Sequence, residues 1–271
     1  MKKLMFLASF FFIAIFMFSV VSAQELKKGK ISGKLMIKDG GPMGDSMVHF
    51  FNAETGPIPN PDKYWMVPDD ITETNQNGEF TIELREGKYY IGAIKRVSGK
   101  KEVGPPLIGD FFFISQDEKG TPKLYIVKKG EDTNIGTISE ATPFKGWVIK
   151  DKITAIEGSV LVDGKPVEGA LVFGYTLPTM VGKPDFVSDR ADKDGKYILR
   201  VPEGGSYYLM ARDLYGGGPP VEGAVMGVYG DKTPTAVTVK AGESKKGIDI
   251  KAIRFPGRGP RQEGMKRFTN P

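Results

Sequence analysis

The sequence predicts an all-β protein made of two tandem β-sandwich domains. Three observations carry that expectation. After its N-terminal segment the 271-residue chain reads twice through one ordered pattern of short runs and turns. Runs such as Phe80-Thr81-Ile82-Glu83-Leu84 and Tyr197-Ile198-Leu199-Arg200-Val201 alternate apolar and polar residues, the period of a half-buried strand. Beyond residue 23 no ten-residue stretch joins helical periodicity to start and stop signals, and the 35 Gly and 19 Pro punctuate short runs instead.

The N-terminus sets the compartment. Lys2 and Lys3 precede an apolar run from Leu4 to Val21, and Val21-Ser22-Ala23 places small residues where a signal peptidase cuts. Residues 1–23 are therefore expected to be a signal peptide, with Gln24 the first mature residue. The competing reading is a retained anchor, because 18 residues lie near the lower limit for crossing a bilayer. The expected destination is periplasmic or extracellular, including the cell surface, with no transmembrane segment after cleavage. The chain has no Cys, so an exported fold must be held by its core rather than by bridges.

The two copies then run in parallel. The first opens with Ile31-Ser32-Gly33 and the second with Ile156-Glu157-Gly158. Each continues through a Gly/Pro turn (Asp39 to Gly44; Asp163 to Pro166) into an apolar strand (Ser46 to Phe51; Gly169 to Tyr175). Asn77-Gly78 and Asp194-Gly195 supply the positive φ of a tight turn before the next strand. Glu86-Gly87-Lys88-Tyr89-Tyr90 matches Glu203-Gly204-Gly205-Ser206-Tyr207-Tyr208, and the copies close around Lys129-Gly130-Glu131 and Ala241-Gly242-Glu243. The offset falls from 125 at Gly33/Gly158 to 117 at Gly78/Gly195 and 112 at Gly130/Gly242. That is a domain length, not the period of a solenoid. The expected organisation is a first domain over 24–139, a linker over 140–152, a second domain over 153–253 and a basic tail over 254–271. Phe144 and Trp147 of the linker are expected to pack onto a domain face.

In the second copy, Gly158-Ser159-Val160, Asp163-Gly164-Lys165-Pro166-Val167-Glu168-Gly169-Ala170-Leu171-Val172, Asp192 to Tyr197 and Pro202-Glu203-Gly204 to Ala211 follow in order. This series resembles the carboxypeptidase regulatory-like domain. The first copy is a weaker match, with Gly40-Gly41-Pro42-Met43 in its turn. The resemblance implies two seven-strand, Greek-key, transthyretin-like sandwiches of the carbohydrate-binding-like type. It also implies an accessory role, as spacer, binding unit or structural part of a bacterial secreted protein. The peptidase domain that gives that family its name is absent from this sequence.

Composition excludes several chemistries. Without Cys there is no thiolate nucleophile and no Cys-ligated zinc, and with His49 as the one histidine no site can use two imidazoles. A serine hydrolase would need His49 as its base, and no G-x-S-x-G turn occurs. Asp192-x-Asp194-Gly195 reads better as a hairpin turn than as a calcium loop, since Lys196 would occupy the fifth position. Asp69, Asp70 and Glu73 read as solvated loop acids. The expectation is a protein without enzymatic activity, metal or cofactor.

Two pairs of long loops hold the candidate sites. Asn52 to Ile71, matched by Thr176 to Arg190, carries Tyr64 and Trp65 in the first copy and Phe186 in the second. These aromatics either form a stacking platform for sugar rings or a protein partner, or cover the open end of a sandwich. The second pair shares Gly104-Pro105-Pro106 with Gly109 and Gly218-Pro219-Pro220 with Gly223, residue types that fix one backbone path. The path serves either the fold or a shared contact.

The formal net charge is +5, and the tail beginning at Arg254 contributes five basic residues against Glu263. Without the tail and the two leader lysines the remainder carries −1, so the basic character is not that of a folded face, and no nucleic-acid partner is expected. The reading is a non-enzymatic secreted binding or structural protein, an adaptor or component of a bacterial envelope or extracellular assembly with a protein partner. The alternative is a carbohydrate-binding protein that takes a polysaccharide on its aromatic loop residues.

Overall fold

The computed structural model describes residues 27–147, 152–215, 220–231 and 233–257. The expected signal segment, Gly218 and Pro219 of the shared loop motif, and the tail beyond Gly257 lie outside the described residues. All regular structure among the described residues is β, as the alternation predicts. The first repeat contains β1 (Lys28–Ile37), β2 (Met47–Asn52), β3 (Trp65–Met66), β4 (Asp70–Glu73), β5 (Glu79–Arg85), β6 (Gly87–Lys95), β7 (Phe111–Ile114), β8 (Leu124–Val127) and β9 (Asp132–Pro143). The second contains β10 (Thr154–Val162), β11 (Lys165–Pro166), β12 (Leu171–Tyr175), β13 (Phe186–Val187), β14 (Lys196–Val201), β15 (Gly205–Arg212), β16 (Val225–Val228), β17 (Val237–Val239), β18 (Ser244–Lys245) and β19 (Ile250–Arg254).

Strand pairing repeats as the sequence does. The order β2-β6-β7-β9-β1-β5, with β8 also on β6, is matched by β12-β15-β16-β19-β10-β14, with β17 also on β15. In each repeat the first strand is parallel to the last; in the second, β10 is also parallel to the short β18, and the remaining pairs are antiparallel. The turn of each path from one layer to the next is narrow. Only Phe111↔Pro143 and Phe112↔Thr142 join β7 to β9, and only Val225↔Arg254 and Met226↔Ile253 join β16 to β19. Each repeat is thus a sheet curled over its own core. Ile31, Leu35, Phe50, Leu84 and Ile91 fill the first, and Ile156, Leu199, Leu209 and Ile250 the second. The last strand of the first repeat runs on to Pro143, into the stretch expected as linker, because Ala141 is buried opposite Ile37.

Matched residues do matched work. Gly33 sits opposite Phe80 and Gly158 opposite Tyr197. A Cβ on Gly158 would run into the carbonyl oxygen of Ile248, so only glycine lets the neighbouring chain approach. Asn75 Oδ1 accepts the N–H groups of Asn77 and Glu79 at 3.0 and 2.9 Å, and Asp192 Oδ1 accepts those of Asp194 and Lys196 at 2.9 Å. Gly78 and Gly195 follow with φ of 77° and 71°. An amide performs the same task as the carboxylate, so the Asp192 motif acts as a turn device.

Tyr89 donates its hydroxyl to Arg85 O at 2.9 Å and Tyr207 to Glu203 O at 3.0 Å, the same four-residue return in both repeats. Each bond satisfies a carbonyl just before a central strand, β6 or β15. Tyr89→Phe and Tyr207→Phe are each expected to cost about 1 kcal/mol, read as a lower urea midpoint at unchanged slope. Two midpoints equal to that of the parent would show that neither bond contributes.

Candidate functional site

The repeats differ most where they meet. Asn52 and Thr176 are equivalent, as are Asp69 and Asp185. Asp69 Oδ2 accepts the N–H of Asn52 and Asp185 Oδ2 that of Thr176, both at 2.8 Å. Residues 53–68 of the first repeat therefore correspond to only 177–184 of the second, an insertion of eight residues. That insertion accounts for the fall in offset from 125 to 117. It carries β3, which leaves its own repeat and pairs antiparallel with β13 of the other through Met66↔Phe186 and Trp65↔Val187. Val67 N donates to Asp185 O at 3.1 Å, and Lys183 Nζ returns to Val67 O at 2.9 Å. Pro57, Pro59 and Pro61 stiffen the approach, and Tyr64 donates its hydroxyl to Ile58 O at 2.7 Å.

The three aromatic candidates converge on this seam and are buried there. Tyr64 and Trp65 are 7% exposed and Phe186 is 3% exposed. Tyr64 meets Phe186 edge to face at 5.8 Å, and Phe186 meets Tyr207 at 6.1 Å. Trp65 packs edge to face against Phe112, Phe144 and Trp147 at 5.6, 5.7 and 4.8 Å. Their ring faces are covered by protein, so a sugar could stack on them only if the seam opened. Phe144 and Trp147 lie against a domain face, as the sequence predicts.

One carboxylate ties the seam together. Asp189 Oδ1 accepts Trp65 Nε1–H at 2.8 Å, while Oδ2 accepts Trp147 Nε1–H at 2.8 Å and Arg200 Nη1–H at 2.6 Å. The Arg200 guanidinium lies 4.0 Å from the Trp147 ring centroid. Three segments, from the first repeat, the linker and the second repeat, thus converge on Asp189. Sequence reasoning did not find Asp189 or Arg200. Arg200 occupies an outward position of an alternating strand and reads as solvated, yet Trp147 and Asp189 cover it.

Two glycines of the shared loop motif make matched backbone bonds. Gly109 N donates to Phe144 O and Gly223 N to Phe255 O, both at 2.8 Å, while Phe144 N and Phe255 N return to Asp110 O and Ala224 O. Gly109 and Gly223 need φ of 94° and 80° for this pairing. In each repeat the glycine that closes the motif, Gly109 or Gly223, therefore ties a long loop to the end of the last strand. In the first repeat a buried fork adds to it. Arg96 donates to Glu102 O, Gly104 O and Pro105 O at 3.1, 2.9 and 2.8 Å, and to Asp110 Oδ2 at 2.6 Å. Burial alone would raise the Asp110 pKa. Hydrogen bonds from Arg96, Leu107 N and Val97 N outweigh it and hold the carboxyl below the ordinary carboxylate value. Leu214 and Ala224 stand at the equivalent positions of the second repeat. Gly104, which the Arg96 fork holds, leaves little room toward Tyr215 across the seam: a Cβ there would come to 3.3 Å from the Tyr215 ring.

His49, opposite Gly92 on β6, is 5% exposed, and its Nε2 has no hydrogen-bond partner. Desolvation, assisted by the nearby Arg96 charge, holds its pKa down to about 4 from the ordinary 6.5. The folded state then binds fewer protons than the unfolded chain between those values. This contribution to stability is complete above pH 6.5 and is lost as pH falls toward 4, by up to about 3 kcal/mol. His49→Phe, which installs the residue found at the equivalent Phe173, is expected to flatten that part of the stability–pH curve. A variant curve parallel to the parent's across pH 4–6.5 would contradict the assignment.

Of the clustered acids, Asp69 is engaged structurally, whereas Asp70 and Glu73 are exposed. Asp69 accepts Asn52 N and the Thr55 hydroxyl and pairs with Lys183 at 3.4 Å. Among the described residues no group of three or more His, Cys, Asp or Glu is placed to hold a metal ion, and no helix is long and apolar enough to cross a membrane.

No protein-family model matches the chain and no curated protein matches it, so the carboxypeptidase regulatory-like resemblance stands on its motifs alone. Several solved structures are similar at low identity. The Bacillus anthracis TIE protein is 14% identical over 84% of this chain, with a TM-score of 0.25, and the chain spans about a third of it, 34%. The minor pilin GBS52 of Streptococcus agalactiae is 14% identical, with 85% of this chain and 98% of that one covered and a TM-score of 0.26. The shaft pilin SpaA of Lactobacillus rhamnosus GG is 11% identical, with 84% and 98% covered and a TM-score of 0.22. TM-scores of this size do not establish a common topology. The strand pairing itself defines the class: an all-β protein of two curled sheets.

Proposed function

We propose that the chain is a non-enzymatic exported protein that works as one rigid two-repeat unit, an adaptor or structural component of an envelope or extracellular assembly. The observation that carries this reading is the strand that the first repeat adds to the sheet of the second at the seam. An eight-residue insertion is committed to fastening one repeat to the other, through β3 on β13 and the Trp65–Asp189 bond. Two sandwiches joined only by a linker would tumble separately, whereas a bonded sheet edge and a shared aromatic core hold one orientation. A fixed spacing between two faces is what a scaffold or adaptor needs. The signal-like N-terminus and the absence of Cys support export without disulfides.

The test is cross-linking in intact cells that make the protein, followed by its purification from each cell fraction. The expected result is recovery from the envelope or medium, covalently joined to another exported protein. Recovery from the cytoplasm, or as an uncross-linked monomer in every fraction, would overturn the proposal.

A further inference from the structure

The outer sheet face of the second repeat is open where that of the first is covered. Register fixes the equivalence. Ile94↔Phe112 and Phe112↔Thr142 in the first repeat correspond to Arg212↔Met226 and Met226↔Ile253 in the second, and Gly92↔Ile114 corresponds to Met210↔Val228. Paired residues, and residues two apart on one strand, share a face. Met210, Met226, Val228, Lys251 and Ile253 therefore lie on one side of β15-β16-β19, opposite the core residues Ala211, Val225 and Ala252. In the first repeat this face enters the seam, where Ile114 is buried and Phe112 packs on Trp65 and Phe144. In the second it lines a recess of about 340 Å³. Ile253 is 58% exposed where the first repeat has Thr142. Met226 and Val228 are partly exposed. Met210 packs against the cluster of Trp65 and Phe173, so the recess is continuous with the seam.

The recess has walls of opposite charge. The loop from β16 to β17, which returns to β15, supplies Asp231, and β19 on the other side of β16 supplies Lys251. Both residues are exposed, and neither side chain has an ion-pair or hydrogen-bond partner among the described residues. An apolar floor between an unpaired acid and an unpaired base is self-complementary. A two-fold axis over the floor sets each Lys251 against the other copy's Asp231 and lays Met226 and Ile253 against their counterparts. Methionine suits such a contact, because its flexible side chain adapts to the surface it meets. We infer that two copies of the chain associate through this recess as an isologous dimer. The first repeat shows what kind of neighbour the face takes, since the insertion and a second sandwich cover it there. A sugar would find no aromatic ring among the lining residues. The face is smaller than the roughly 20–30 residues a side of a permanent interface, so the dimer exchanges with monomer.

The protein recovered from the cells that make it is followed by sedimentation equilibrium from about 1 µM to 1 mM. The expected result is a reversible monomer–dimer equilibrium within that range. Ile253→Asp, at an exposed position, should keep the parent's urea midpoint and weaken the dimer about a hundredfold, because the contact is lost twice. Lys251→Asp and Asp231→Lys set like charges together and should each weaken it about tenfold, whereas both changes in one chain should restore it. A protein still monomeric at about 1 mM would overturn the inference and leave the adaptor reading standing. A dimer that Ile253→Asp leaves intact would place the contact on another face and equally overturn it. Single charge variants as tight as the parent, or a double variant no tighter than either single one, would overturn the two-fold pairing on which the inference rests.

Discussion

Trp65→Ala is expected to lower stability by about 3–5 kcal/mol and to uncouple the two repeats. The side chain is nearly fully buried and meets three aromatic rings, and its N–H fills one of the three bonds to Asp189. Truncation removes the transfer term and leaves a cavity at a place where both repeats and the Phe144–Trp147 segment touch. The consequence goes beyond a lower midpoint. With the seam intact the repeats are expected to unfold as one cooperative unit. With it loosened, each keeps its own core and melts in its own transition. Calorimetry and urea unfolding followed by two probes would read this as one transition in the parent and two in the variant. A single transition of unchanged midpoint in Trp65→Ala would show that the seam carries no coupling. Trp65→Phe, which keeps a ring and loses only the hydrogen bond, is expected to cost about 1 kcal/mol.

Asp110→Ala is the second large effect, also about 3–5 kcal/mol. Both side chains of the Arg96–Asp110 pair are 5% exposed. Removing the carboxylate strands a guanidinium away from water and frees Val97 N and Leu107 N, which Asp110 also accepts. The loop that places Gly104 against Tyr215 would loosen with it. Asp110→Asn retains an acceptor but not the charge and is expected to lie between the variant and the parent. Urea unfolding of the three proteins checks the order. An alanine variant within 0.5 kcal/mol of the parent would mean that the ion pair only repays its own desolvation.

Much of this architecture was legible in the residues. Asn77-Gly78 and Asp194-Gly195 mark turns because only a few residue types accept that φ, and Phe80 and Tyr197 mark inward positions because a strand alternates. The duplication was legible because two copies of one pattern must make the same bonds, as Tyr89 and Tyr207 do. Even the seam left a trace, since the eight-residue fall in offset is the insertion that bears β3. Its destination was not legible. Nothing local in Tyr64-Trp65-Met66 says that the strand joins a sheet more than 100 residues away in sequence, at Phe186, and periodicity cannot report which neighbour covers an exposed edge. For the same reason Arg200 read as solvent-facing: its partners Asp189 and Trp147 become neighbours only after the second repeat folds against the linker. Arg96 was equally silent, because a buried fork that holds carbonyls depends on the path of a loop and not on the types of residue in it.

A permanent β3 strand in the sheet of the second repeat is what fastens the two repeats together. Native-state amide hydrogen exchange at Val67 tests that most directly, since this N–H is given to Asp185 O across the seam. Val67 is expected to exchange only by global unfolding, with a protection free energy equal to those of Ile91 and Leu209 in the two cores. Exchange of Val67 on the timescale of an exposed loop, with Ile91 and Leu209 still protected, would contradict it.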